Sequence, residues 1–147
     1  MTLSQFFQSC STLPDVIKTY ESEEAYREEF VQMFTSQQAR KVSKVVYAFV
    51  CEKNIPRVMG ESNIIYIGRT KQCLGERYWP FPVYYYIELP VIECYGPVSF
   101  AYLVMDMTEA LKEAERDLLK DYYELHMELP PKNAQGYGAW GALPNEL

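Results

Sequence analysis

The chain has 147 residues with net charge −6, and 48% of them are hydrophobic. That balance describes a folded domain and excludes a collagen-like or disordered composition. No apolar run approaches the ~20 residues that a membrane-spanning helix requires, and MTLSQFFQSC lacks the basic start and long apolar core of a secretory signal. A cytoplasmic protein is the expectation.

The first forty residues read as a helical N-terminal extension (1–40) ahead of a main domain (41–147). Ser22 is placed to cap a helix whose first turn holds Glu23 and Glu24, and Tyr26, Phe30, Met33 and Phe34 recur at helical spacing. KVVYAFVC (44–51) is a near-continuous apolar run, as in a strand covered on both faces. EKNIPRVMGES (52–62), with Pro56 and Gly60, reads as a loop, and NIIYIG as a second strand. RTKQCLGERY reads as a short helix or turn, WPFP as a break, and 83–95 as a segment that can hold β structure. VSFAYLVM (98–105) is a third strand. A helix runs from about Asp106 to Glu128, with Asp106 and Glu109 spaced like a capping box, and PPKN ends it. The tail, NAQGYGAWGALPNEL, reads as loop. The expected fold is α+β: a small central antiparallel three-stranded sheet flanked by helices.

Cys10, Cys51, Cys73 and Cys94 are widely spaced and form no CxxC pair, and His126 is the only histidine. Neither a structural zinc site nor a disulfide framework fits that spacing. Charge is unevenly distributed. Residues 1–39 sum to −4, 40–79 to +5 and 80–147 to −7. The basic block holds Lys53, Arg69, Lys71 and Arg77.

On the 106–128 helix, Leu111, Ala114, Leu118, Tyr122 and Leu125 fall on one side at about 100° per residue. Glu115 projects from within that stripe. A carboxylate there needs a partner, because stripping water from the charge is costly. The geometry leaves two options open: pairing to an arginine, or service as a metal ligand or acid in a cleft.

Taken in order, Tyr47 in VVYAFV, Tyr66-Ile67-Gly68, Arg77, Glu115 in EAERDLL and Asn133 in PPKN resemble the GIY-YIG nuclease family over roughly residues 44–133. Val45-Val46-Tyr47 replaces the glycine-containing first triplet. Arg77 lies eleven residues after Tyr66, which makes Arg69 a rival for the arginine role. Tyr78 stands where the family often has a histidine or tyrosine.

The resemblance implies a DNA endonuclease that hydrolyses phosphodiester bonds with one Mg²⁺ or Mn²⁺. Glu115 would be the metal ligand and Arg77 the phosphate clamp. Tyr47 is favoured as general base and Tyr66 as phosphate or water positioner. Asn133 would orient backbone near the metal, and Gly68, Arg69, Lys71 and Lys53 would line the substrate path. A catalytically inactive module gripping DNA or a protein partner is the alternative, and a homo-oligomer stays open.

Overall fold

The computed structural model describes residues 1–78 and 85–133, with no account of the side chains of 85–88. The WPFP break and the tail from Ala134 lie outside the described residues. In chain order the elements are α1 (Leu3–Ser9), β1 (Ser11–Thr12), α2 (Glu23–Phe34), α3 (Gln37–Lys41), β2 (Val45–Pro56), β3 (Glu61–Thr70), α4 (Leu74–Arg77), α5 (Tyr85–Tyr95), β4 (Val98–Val104) and α6 (Glu109–His126).

The fold is α+β, and its sheet is antiparallel with order β1-β4-β2-β3. It has four strands where the sequence suggested three. The extra strand comes from the N-terminal segment: Ser11 and Thr12 pair with Tyr102 and Ala101. Leu13 N–H donates to the Phe100 carbonyl, and Ile17 and Val98 bridge in both directions at 2.8 Å. A two-residue polar strand has too few positions to show a period, which is why it escaped the sequence reading.

β2 is covered on both faces, as its continuous apolar run predicts. Val45, Tyr47, Phe49 and Cys51 join α2, α3, α4 and α5 residues in one apolar layer, including Tyr26, Phe30, Met33, Phe34, Leu74 and Ile92. Val46 and Ala48 face the other way, against Leu3 and Phe6 of α1 and Ala114, Leu118 and Tyr122 of α6. The alternation is the period-two pleat of a strand. Ser22 caps α2 as expected, its hydroxyl accepting from Ala25 N–H at 3.2 Å.

Four local readings need correction. Residues 52–62 are mostly strand, since Ile55 pairs with Ser62 and Pro56 with Glu61 after an irregularity in the ladder. Only the turn through Gly60 (φ 68°) is loop; burying Ile55 rewards the longer hairpin. The segment 85–95 is helix, not strand, despite Pro90 within it. Its Leu89, Val91, Ile92 and Tyr95 pack on the first layer, so packing overrides β propensity. α6 begins at Glu109 after Thr108, with no side-chain cap bond, so Asp106 does not form a capping box. Leu125 leaves the stripe and is 53% exposed, in the last turn of α6.

Candidate active site

β2 and β3 pair with Tyr47 opposite Gly68, Phe49 opposite Tyr66 and Val46 opposite Arg69. Tyr47, Tyr66 and Gly68 therefore share one face, and Arg69 belongs to the other. The register slips between Phe49 and Val50, so Ile65 is an extra residue in β3. Such a bulge re-aims the side chains beside it, and both Ile65 and Tyr66 join the first layer.

Gly68 is needed for space rather than flexibility. A Cβ there would lie 2.8 Å from the Tyr47 hydroxyl oxygen and 2.7 Å from the Tyr66 ring. The two tyrosine rings close over the glycine with centroids 6.1 Å apart. Tyr47 stacks on Phe100 at 4.9 Å and has no solvent exposure. Its hydroxyl accepts a hydrogen bond from the Tyr78 hydroxyl at 2.9 Å. Tyr78 follows Arg77 at the end of α4, and the Arg77 guanidinium carbon lies 5.2 Å from the Tyr78 ring centre.

Burial pushes the Tyr47 phenol well above its ordinary value, and the neighbouring Tyr66 adds to the rise. The Tyr78 hydrogen bond and the Arg77 charge pull it back, and the Glu115 charge raises it further. Burial in low-polarity surroundings disfavours the Tyr47 anion, so Tyr47 is less often in the ionised form that the sequence expectation of a base requires. Burial likewise raises Tyr78.

Glu115 occupies the α6 side of the sheet, at the rim of the apolar stripe, with its side chain 20% exposed. Arg69 reaches it directly, Nη1 donating to Oε1. Of the two options left open for this carboxylate, the structure shows the arginine partner. Burial raises the Glu115 carboxyl, while Arg69 opposes the rise through charge and hydrogen bond.

Asn133 fastens the chain to β3. Its Oδ1 accepts from Ile67 N–H and its Nδ2 donates to the Ile67 carbonyl, both at 2.9 Å, and Lys132 N–H donates to the Ile65 carbonyl. β3 is the last strand of the sheet, so this strap satisfies an edge otherwise left unpaired. Asn133 thereby holds the backbone of Ile67, the residue before Gly68.

Lys132 was missed by the sequence reading. It is 7% exposed, and its ammonium lies 4.9 Å from the Phe49 ring centre and 5.4 Å from that of Tyr66. Nothing in PPKN beyond proximity to Asn133 signals it, since lysines are mostly exposed. Lys53 is not brought to the site: it lies six strand residues from Tyr47, roughly 20 Å at ~3.3 Å per residue, and is exposed. Lys71 is exposed just beyond the end of β3.

The chain matches no family model, no curated protein and no solved structure. No helix among the described residues is long and apolar enough to cross a membrane.

Among the described residues no three His, Cys, Asp or Glu side chains cluster. Glu115 is a single, partly exposed hard oxygen donor, paired to Arg69. One carboxylate suits Mg²⁺ or Mn²⁺ where waters and a substrate phosphate complete the shell, so the residues fit such an ion on those terms.

Proposed function

We propose that the chain is a metal-dependent DNA endonuclease of the GIY-YIG type. One observation carries the reading: the Tyr47 hydroxyl lies over Gly68 beside the Tyr66 ring and is bonded to Tyr78, whose ring Arg77 adjoins. Tyr47, Tyr66 and Tyr78 come from β2, β3 and the end of α4, and Glu115 approaches from the α6 side of the sheet, paired to Arg69.

In this reading Glu115 holds the ion, which stabilises charge on the phosphate and the leaving oxygen when bound. Arg77 takes phosphate oxygens through paired hydrogen bonds. Tyr47, wholly buried with its oxygen engaged by Tyr78, holds the Tyr66 ring in place over Gly68. Tyr66, less buried than Tyr47, gives its own proton to solvent and as the phenolate accepts the water's proton. The water oxygen forms the new bond to phosphorus, the bond from phosphorus to the leaving oxygen breaks, and that oxygen takes a proton from solvent. Tyr66 here takes the base role that the sequence expectation gave to Tyr47, because burial disfavours the Tyr47 anion.

The test is cleavage of plasmid and linear DNA with Mg²⁺ or Mn²⁺. Wild type nicks or cuts, and Glu115→Ala, folded by circular dichroism, does not. Equal inertness of both on every DNA form sinks the reading.

The Arg69–Glu115 contact also favours a second reading, an inactive module of the same fold, since it ties up the one carboxylate of the site. Salt-dependent DNA binding without cleavage is its signature.

A further inference from the structure

The Arg69–Glu115 pair joins the carboxylate proposed to hold the ion to a second arginine, besides Arg77, that can bind a phosphate. Arg69 lies on β3 directly after Gly68, and its side chain is 40% exposed, so it can reach solvent and a ligand. Glu115 is fixed on the long helix α6 and is the less exposed of the two. The recorded bond runs from one guanidinium nitrogen to one carboxylate oxygen, an end-on contact rather than a paired fork. An exposed end-on pair is weak. A phosphodiester offers the same guanidinium a bidentate partner of equal charge.

We propose that Arg69 is a gate on the carboxylate: it neutralises Glu115 in the free protein, and a phosphodiester draws it away, leaving Glu115 to a divalent cation. This rests on the endonuclease reading and adds to it an order of events. Two cations, a guanidinium and a metal, compete for one carboxylate, so metal binds weakly to the free protein. Phosphate removes the competitor. The two ligands then bind with positive coupling, and by linkage each strengthens the other equally. The device confines a charged site to moments when substrate is present.

The experiment measures Mn²⁺ affinity of the DNA-free protein by electron paramagnetic resonance at pH 8, in wild type, R69Q, R69K and E115Q, with and without dimethyl phosphate, the smallest phosphodiester anion. R69Q should bind Mn²⁺ more tightly than wild type by about 5- to 150-fold, the ordinary span of such couplings. R69K keeps a cation opposite the carboxylate and should stay as weak as wild type. Dimethyl phosphate should tighten Mn²⁺ binding to wild type more than to R69Q. Arg69 is exposed, so folding is not at stake in its variants.

If E115Q loses Mn²⁺ binding but R69Q binds no tighter than wild type, the gate is wrong and the metal site stands. If E115Q binds Mn²⁺ as R69Q does, the ion is not at Glu115, and the endonuclease reading fails with the gate.

Discussion

A Cβ built on Gly68 would stand 2.8 Å from the hydroxyl oxygen of Tyr47, directly across the β2–β3 ladder. Carbon does not approach oxygen that closely without something moving. Tyr47 cannot swing aside, because its ring is wholly buried and stacked on Phe100. Gly68→Ala therefore forces strain on the strand pair and is expected to destabilise the protein by about 1–3 kcal/mol, the usual cost of overpacking. Urea denaturation measures it. An alanine variant of unchanged midpoint would mean that the two rings part freely. Adding Tyr47→Phe should not relieve the strain, because the Tyr66 ring at 2.7 Å and the Tyr47 Cζ at 2.8 Å stay in place.

Tyr78 donates its hydroxyl proton to Tyr47 within the core. Tyr47→Phe strands that donor where water does not reach, at an expected cost of about 1–3 kcal/mol. Tyr47→Phe with Tyr78→Phe removes both partners and should cost less than the two single changes added together. A double-mutant cycle in urea gives the coupling directly. Strict additivity would show that the hydroxyls do not depend on each other.

The parts legible in the sequence were those with a period or an anomaly. β2 announced itself by its apolar run, α2 by Ser22 and its aromatic spacing, and Glu115 by standing on a stripe where carboxylates seldom stand. The parts that were not legible depend on long-range pairing. Ser11–Thr12 became a strand only because β4 offers an edge, and 85–95 became helix because Ile92 had a layer to enter. Arg69 was named only as a phosphate candidate. Its bond to Glu115 spans 46 positions in the chain, and no local pattern encodes that separation. Lys132 was overlooked for a similar reason: its burial follows from the strap that Asn133 makes to Ile67, not from its neighbours in sequence.

That strap predicts a local effect. Asn133→Ala removes both bonds to Ile67 and opens the outer edge of β3 beside Gly68. The Ile67 amide is then left to find water. The expected loss is about 1–3 kcal/mol if water stays out, with less where the edge opens to solvent. Native-state hydrogen exchange separates the two cases. The Ile67 amide should exchange faster in Asn133→Ala, while amides of β4, two strands away, keep their protection. Unchanged exchange at Ile67 would show that the side-chain bonds are dispensable. Asn133→Asp keeps the acceptor for Ile67 N–H and loses the donor to its carbonyl, so it should protect that amide better than alanine does.

Glu115 predicts the pH dependence. Burial raises its carboxyl above the ordinary value, and this effect exceeds the opposing pull of Arg69. Between the unfolded value, about 4.3 for a free glutamate, and the raised folded one, the native state holds a proton that the unfolded chain has released. Stability from this group is therefore full below the unfolded value and falls as pH rises through the folded one. Glu115→Gln has no such proton. Its stability relative to wild type should rise as pH is taken from about 4 towards neutrality, and urea midpoints across that range measure the difference. Arg69→Gln removes the group that holds the Glu115 carboxyl down, so it should extend the loss to higher pH. A glutamine variant whose advantage shrinks with rising pH would mean that Arg69 outweighs burial. The ionised carboxylate would then be a stabilising partner in the fold, and the reason to regard it as held in place for chemistry would be gone.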